Sequence, residues 1–154
     1  MEQRTALHGE ILELLNRQLY AVLATARDGV PYTNIMAIAA RDDLSRVYFI
    51  TPRRSRKYEN LLGNPLVSIF ADNRSNRESD LSGATGITAT GLAVEPDARE
   101  REEALGLYCA RHPALGDFAR SPDSALFGVR VSRYVMVKRF ENISVLKMEA
   151  DAGA

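Results

Sequence analysis

The chain has little of the residue types that carry metal and disulfide chemistry. Among its 154 residues there is a single cysteine, Cys109, which excludes an intrachain disulfide. The only histidines, His8 and His112, are far apart in sequence, and neither an HExxH nor a paired CxxC motif occurs. We therefore predict no dedicated metal site. Cys109 has no pattern of a base around it and is interpreted as a small packing residue.

Net charge and long apolar runs are also lacking. The 20 Lys and Arg residues equal the 20 Asp and Glu residues, so the formal net charge is zero. A general polyanion binder usually has a basic excess, so nucleic acid is not expected as a partner. No apolar run approaches the roughly 20 residues of a membrane span, and residues 1–16 do not resemble a signal peptide. We expect a cytoplasmic protein with no membrane partner.

The length and the hydrophobic fraction of 45% are typical of one globular domain. We assign residues 1–154 to this domain and expect a frayed tail over residues 149–154. The most informative stretch is residues 47–70, VYFITPRRSRKYENLLGNPLVSIF. It contains a β-prone apolar run, four cations in five positions, a short helical pattern, a helix stop at Asn64-Pro65 and a second β-prone run.

Ser55 is well placed to cap the short helix, because its hydroxyl can accept from the backbone amide of Tyr58. Arg56 and Lys57 would then lie on the first turn, where cations cost the helix a few tenths to about 1 kcal/mol each. A bound anion would offset this cost, and a phosphate is the natural candidate. Arginine-rich turns are also common on ordinary protein surfaces, so the stretch alone leaves both interpretations open.

The rest of the chain alternates β-strand and helix patterns. Asp28-Gly29 is a strong hairpin signal, and Gly86 and Gly91 indicate a bulge or a close backbone approach. Asp97 with Glu100 resembles a capping box. Strands are predicted over residues 19–27, 30–40, 46–51, 66–72, 83–95, 125–140 and 143–148, and the strand over 125–140 is expected to bend at Ser132 or Arg133. Helices are predicted over residues 5–18, after Ser55, over 98–111 and over 115–120. The polar segment over residues 73–82 is predicted to be a functional or interfacial loop.

Short turns between consecutive strands imply antiparallel pairing. At this chain length, closure into a small barrel is the best way to remove exposed strand edges. The predicted fold is therefore mainly β, a six- to seven-stranded antiparallel barrel with peripheral helices.

With these elements in this order, the chain resembles the pyridoxamine 5′-phosphate oxidase-related family of FMN-binding split barrels. The resemblance is strongest over residues 19–70 and continues weakly to Gly91. Its most specific motif is T-x3-SRK-x-x-NL-x-x-NP-x-VS, which is matched by Thr51, Ser55, Arg56, Lys57, Asn60, Leu61, Asn64, Pro65, Val67 and Ser68.

The resemblance implies FMN as the cofactor and a homodimer that binds it in the groove between subunits. Arg56 and Lys57, which follow Ser55, take the positions that bind the FMN phosphate. The polar loop after Asp72 and the strand over residues 86–91 are expected to supply contacts from the second subunit. The other implied cofactor-binding positions are the strand-end residues Ile50 and Thr51, and Asn34, Ile35, Met36 and Ala37 on the strand that runs along the flavin.

The chain departs from the true pyridoxamine phosphate oxidases at several of the family's positions. Asn34, Ala39 and Gly86 stand where those enzymes have a cation, a lysine and a glutamine. The C-terminal segment with a tryptophan and an Arg-x-His-Asp-Arg pattern has no counterpart here. We therefore do not predict oxidation of vitamin B6. Residues 108–118 are similar to haem-utilisation relatives, but we interpret His112 as a helix terminator with Pro113 and a solvent-facing imidazole.

We predict an FMN-dependent oxidoreductase that acts on an unidentified small molecule. No catalytic residue is assigned, because no side chain has the pattern of an obligatory acid or base; Tyr32, Tyr58 and Arg74 are the polar candidates. One alternative is a non-catalytic flavin-binding or electron-transfer module. Another is a deazaflavin-dependent reductase, in which Arg53 and Arg54 would meet the longer acidic tail. The hypothesis of a nucleic-acid binder is the least favoured.

Overall fold

A computed structural model of the protein describes residues 1–149, which form eight β-strands and five α-helices. No helix in this part of the chain is long and apolar enough to cross a membrane. The predicted frayed tail, apart from Glu149, lies outside the described residues. The strands are β1 (Tyr20–Arg27), β2 (Val30–Ala37), β3 (Ala39–Ala40), β4 (Arg46–Pro52), β5 (Leu66–Asp72), β6 (Thr85–Val94), β7 (Ser124–Lys138) and β8 (Asn142–Lys147). The helices are α1 (Glu2–Arg17), α2 (Arg56–Gly63), α3 (Asp80–Gly83), α4 (Ala98–Arg111) and α5 (Gly116–Arg120), which a 3₁₀ turn (Pro113–Leu115) precedes.

All strand pairs are antiparallel, and the strands follow the order β2-β1-β5-β6-β7-β4-β3, with β8 paired to β7. The two ends of this order, β2 and β3, are separated in the chain by Ile38 alone. This link brings the sheet edges together and curls the sheet into a barrel. The predicted mainly β, antiparallel barrel with peripheral helices is confirmed. The described residues contain eight strands because the predicted strand over residues 30–40 divides at Ile38.

Strand β7 changes partner along its length. Its first half pairs with β4 and its second half with β8, while β6 lies along its other edge. The register with β6 shifts at Gly91, and Ser132 has no partner across the shift. The Ser132 hydroxyl donates instead to the carbonyl of Thr90 at 2.9 Å. A Cβ at position 91 would lie 2.0 Å from the carbonyl oxygen of Arg130, so the predicted close approach at this glycine is confirmed.

The buried side chains form two clusters that share β4. Val47 and Phe49 point into the barrel, where α1 and α2 also contribute, whereas Tyr48 and Ile50 pack outward beneath α4 and α5. Both faces of β4 are therefore buried, which explains its unbroken apolar sequence. This burial fixes the end of β4, from which the turn into α2 begins.

The capping box predicted at the start of helix α4 is only half formed. The Asp97 side chain accepts from the backbone amide of Glu100 at 2.9 Å, so the N-cap is confirmed. A capping box also implies that the backbone amide of Asp97 donates to the Glu100 side chain, and this part of the prediction is wrong. The Glu100 carboxylate accepts from the Tyr48 hydroxyl at 2.9 Å and from Nε of Arg46 at 3.2 Å, which fastens α4 to β4.

Candidate functional site

The turn from β4 into α2 is built on two hydroxyl groups. Thr51 is fully buried at the end of β4, and its Oγ1 lies 2.8 Å from Oγ of Ser55. Ser55 Oγ also accepts from the backbone amide of Tyr58 at 3.2 Å. Ser55 is therefore the N-cap of α2, as predicted. The remaining amides of this helix N-terminus are available to an anion.

Arg56 and Lys57 lie on the first turn of α2 without a carboxylate partner. Within residues 1–149 neither side chain forms an ion pair. The guanidinium carbon of Arg56 lies 4.8 Å from the centre of the Tyr32 ring. Lys57 is partly buried, and this desolvation lowers its pKa. The site thus combines positive charge, a helix N-terminus and incomplete solvation, and each of these favours a bound anion.

Arg53 differs from the two cations of α2 because its charge is already partnered. Its Nη1 donates to the Glu95 carboxylate at 3.1 Å and to the Tyr58 hydroxyl at 3.2 Å. Its Nε donates to the carbonyl of Pro122 at 3.3 Å. Arg54 is exposed. Of the two extra cations that a longer acidic tail would use, Arg53 is therefore already neutralised by Glu95.

The side chains of the predicted flavin strand alternate between the two faces of the sheet. Ile35 is 73% exposed on the outer face, whereas Met36 is buried in the core. Ala37 is partly buried against the second cluster. The side chain of Ile50, on β4, is also buried. Met36 and Ile50 can therefore offer a ligand only backbone groups.

Asn34 has an unfilled hydrogen-bond acceptor. Its Nδ2 donates to the carbonyl of Ile35 at 3.1 Å, while its Oδ1 is buried and has no protein partner. A ligand hydroxyl or N–H group would satisfy this oxygen. The cations of α2 and the unfilled acceptor of Asn34 therefore fit a ligand that has both an anionic group and hydrogen-bond donors.

The β1–β2 hairpin and α2 hold these groups together. Asn60 of α2 donates from Nδ2 to Oγ1 of Thr25 in β1 at 3.0 Å, and both residues are buried. Thr25 pairs in register with Tyr32 of β2. Asn34 follows two residues later on the same strand face, about 7 Å along the strand. The first turn of α2, which carries Arg56 and Lys57, is thus a neighbour of the predicted flavin strand, and Tyr32 lies between them.

His112 is not solvent-facing, so that prediction is wrong. The residue is 6% exposed, and its Nε2 lies 2.7 Å from the carbonyl oxygen of Ile38. Its ring packs against the rings of Tyr108 and Tyr20 at centroid distances of 5.0 and 6.3 Å. The imidazole thus forms a hydrogen bond with Ile38, the residue that separates β2 from β3. Its Nε2 is therefore engaged and does not offer a free ligand to haem.

The other polar candidates are engaged in structural contacts. The Tyr58 hydroxyl accepts from Arg53, and Arg74 pairs with Asp72 at 3.1 Å. In the loop over residues 73–82, the Asp80 carboxylate accepts from three successive backbone amides, and these bonds lower its pKa. The loop is thus organised by its own contacts. A role for it in a second subunit stays a prediction.

The chain is similar to known proteins in sequence and in fold. Residues 7–138 match the family model described as pyridoxamine 5′-phosphate oxidase. No curated protein sequence matches the chain. Among solved structures, a heme binding protein from Mycobacterium smegmatis has a TM-score of 0.76 at 18% identity, covering 87% of this chain and 57% of that one. This chain thus spans less than two thirds of that protein.

Two other solved structures are closer in length. General Stress Protein 26 from Bacillus anthracis has a TM-score of 0.65 at 21% identity, covering 92% of this chain and 98% of that one. An FAD-binding protein from Mesorhizobium loti has a TM-score of 0.65 at 20% identity, covering 82% and 91% respectively. These structural likenesses show the fold, and none of the three proteins is named as a pyridoxamine phosphate oxidase. Because the family model spans most of the sequence, the chain belongs to the pyridoxamine 5′-phosphate oxidase family of split barrels.

Proposed function

We propose that the protein binds FMN as a homodimer and acts as an oxidoreductase on a small molecule. One observation carries the proposal: Arg56 and Lys57 lie on the first turn of a serine-capped helix, with no ion pair in the described part of the chain. The FMN phosphate would lie against these two cations and the N-terminus of α2. Hydrogen bonds to charged groups contribute about 1.5–3 kcal/mol each, which offsets the unfavourable placement of both cations.

The β2 strand supports the remainder of the cofactor site. Its backbone beside Asn34 to Ala37 offers polar groups to the flavin ring, and the unfilled Oδ1 of Asn34 accepts from a ligand donor. Family membership and the structural likeness to an FAD-binding protein favour a flavin. The flavin supplies the redox chemistry when bound, while the protein positions it and balances its charge. This division fits a site with no evident acid or base.

A row of mostly apolar side chains on the outer face of the sheet supports the proposal of a homodimer. Ile35, Phe70 and Val145 are 73%, 38% and 50% exposed. The cross-strand register aligns them over six strands, and we call the set the outer row: Ile35, Val22, Phe70, Thr88, Val135 and Val145. Exposed apolar side chains aligned on one face of a sheet are consistent with an interface. Because Ile35 follows Asn34, a second copy on the outer row would also cover the flavin strand.

The test begins with the absorbance spectrum of the purified protein and mass identification of any released ligand. FMN and riboflavin are then titrated into the apoprotein, its Arg56→Met and Lys57→Met variants, and the control Arg54→Met. Each of the first two substitutions should weaken FMN roughly tenfold or more and leave riboflavin, which lacks the phosphate, unchanged. Arg54→Met removes a nearby exposed cation and should have little effect.

Two outcomes would overturn the proposal. One is a colourless protein that takes up no added FMN. The other is an equal loss of FMN and riboflavin affinity in the Arg56 and Lys57 variants. Turnover with nicotinamide reductants and small acceptors tests the oxidoreductase part separately. Bound FMN without any turnover would instead support a flavin-binding or electron-transfer module.

A further inference from the structure

We infer that Tyr32 is a positioning residue that holds the Arg56 guanidinium ready for the phosphate of the cofactor. The inference rests on the FMN site proposed above and adds a residue to which the family motif assigns no role. Tyr32 comes from β2, whereas Arg56 comes from α2. Their contact therefore joins the flavin strand to the phosphate end of the site.

The contact has the geometry of a cation–π pair. The guanidinium carbon lies 4.8 Å from the ring centre, within the roughly 6 Å limit for such pairs. Tyr32 is partly buried, so its ring is well held, while Arg56 is exposed. Within residues 1–149 the Arg56 side chain makes no hydrogen bond or ion pair, so the ring is its only specific partner there. Nothing else in the described chain selects its orientation.

A ring is a suitable partner for an arginine that must still bind an anion. The contact with the ring is not a hydrogen bond, so the N–H groups of the guanidinium remain unpaired within residues 1–149. Those groups form the planar fork that binds phosphate through two parallel hydrogen bonds. A carboxylate partner would occupy the fork and cancel the charge, as Glu95 does for Arg53. Tyr32 thus orders Arg56 without consuming its donors.

The position of the Tyr32 ring is itself fixed. Tyr32 pairs with Thr25 across the β1–β2 hairpin, and Thr25 accepts from Asn60 of α2 in a buried bond of 3.0 Å. The same helix therefore carries both Arg56 and the amide that fastens it to the hairpin. Because an unrestrained arginine loses rotamer freedom when it binds, holding it in advance raises the affinity for the phosphate.

The test measures the dissociation constants of FMN and riboflavin for Tyr32→Phe, Tyr32→Leu, Arg56→Met and the double variant Tyr32→Leu/Arg56→Met. Tyr32→Leu should weaken FMN roughly two- to fivefold and leave riboflavin unchanged. Tyr32→Phe keeps the ring and should bind FMN as the wild type does. In the Arg56→Met background, Tyr32→Leu should cause no further loss, because the arginine through which Tyr32 acts is absent.

The inference is overturned if Tyr32→Leu weakens FMN and riboflavin equally, if it leaves FMN unchanged, or if its effect persists in the Arg56→Met background. If Arg56→Met itself leaves the preference for FMN over riboflavin unchanged, the phosphate assignment fails, and the inference fails with it. Melting temperatures check that each variant is folded. Should Tyr32→Leu not fold, Tyr32→Thr removes the ring with a residue that favours strands and carries the same expectations.

Discussion

The hydroxyl oxygens of Thr51 and Ser55 lie 2.8 Å apart and share a hydrogen bond where β4 turns into α2. Thr51 is fully buried, and Ser55 caps the helix that carries Arg56 and Lys57. The buried end of the strand thus fixes where the first helical turn begins. Folding stability and the proposed anion binding should therefore both depend on Ser55, the first through its capping oxygen and the second through its lack of negative charge.

Two substitutions at Ser55 should separate these properties. Ser55→Ala removes the cap and should lower the free energy of unfolding by about 1 kcal/mol. Ser55→Asp keeps a capping oxygen, so its stability in urea unfolding should remain close to that of the wild type. Its negative charge would repel the phosphate, and titration should show FMN affinity reduced tenfold or more with riboflavin affinity unaffected. If Ser55→Asp bound FMN as well as the wild type, the phosphate could not lie at this turn.

Asn34 should show a trade-off between stability and binding. Its buried Oδ1 has no protein partner, and an unsatisfied buried acceptor costs roughly 1–3 kcal/mol. Asn34→Leu should therefore leave the free energy of unfolding of the apoprotein unchanged, or raise it by up to about 1 kcal/mol. The same variant should bind FMN more weakly, because the ligand donor loses its acceptor.

The matched control for Asn34 is Asn60, a second amide whose partner is present. Asn60→Leu breaks the buried bond to Thr25 and leaves that hydroxyl unpaired. We expect it to lower the free energy of unfolding by roughly 1–3 kcal/mol. Denaturant unfolding of both variants without ligand makes the comparison. A large loss of stability in Asn34→Leu would show that Oδ1 is satisfied within the folded chain.

The proposed homodimer should dissociate when charge is placed in the outer row. Ile35→Lys puts an ammonium group on an apolar face that a second copy would desolvate, so we expect a monomer in sedimentation equilibrium. FMN affinity should fall with it if the groove between subunits holds the cofactor. Leu62 is 68% exposed on α2, away from the outer row, so Leu62→Lys is the control that should stay dimeric. A wild-type monomer at micromolar concentration would contradict the shared site.

The features that the sequence predicts well are local ones. The Ser55 cap depends on residues three positions apart, and the Asp28-Gly29 hairpin depends on two residues that both adopt positive φ. The irregularity at Gly91 and Ser132 follows from a glycine inside a long strand pattern. In each case the physical cause lies within a few residues of its effect.

The errors and omissions concern partners that are distant in sequence. His112 turns inward to a carbonyl 74 residues away, and Glu100 leaves its own helix for Tyr48, 52 residues away. Arg53 is neutralised by Glu95, which is 42 residues away. The pairing of Arg56 with Tyr32 belongs to the same group. Such pairs arise only when the barrel closes, and no periodicity or turn motif encodes them.

Alkaline pH should destabilise the protein through its buried tyrosines. Burial raises the pKa of Tyr48 and of Tyr108 to about 12, and burial also raises the pKa of Tyr134. Between about pH 10 and 12 the unfolded chain releases these protons while the folded chain keeps them. The unfolded state then binds fewer of these protons, so the contribution of the tyrosines to the free energy of unfolding falls as pH rises through this window.

Tyr108→Phe tests this by removing one of the titrating groups. Urea unfolding measured at intervals from pH 8.5 to 11.5 should show a decline that is shallower by up to about 1.4 kcal/mol per pH unit. Phe127→Leu, a buried substitution without an ionisable group, should lower stability by a similar amount at every pH and leave the slope unchanged. If Tyr108→Phe kept the wild-type slope, the Tyr108 hydroxyl would have to ionise equally in both states, which its burial at 1% exposure opposes.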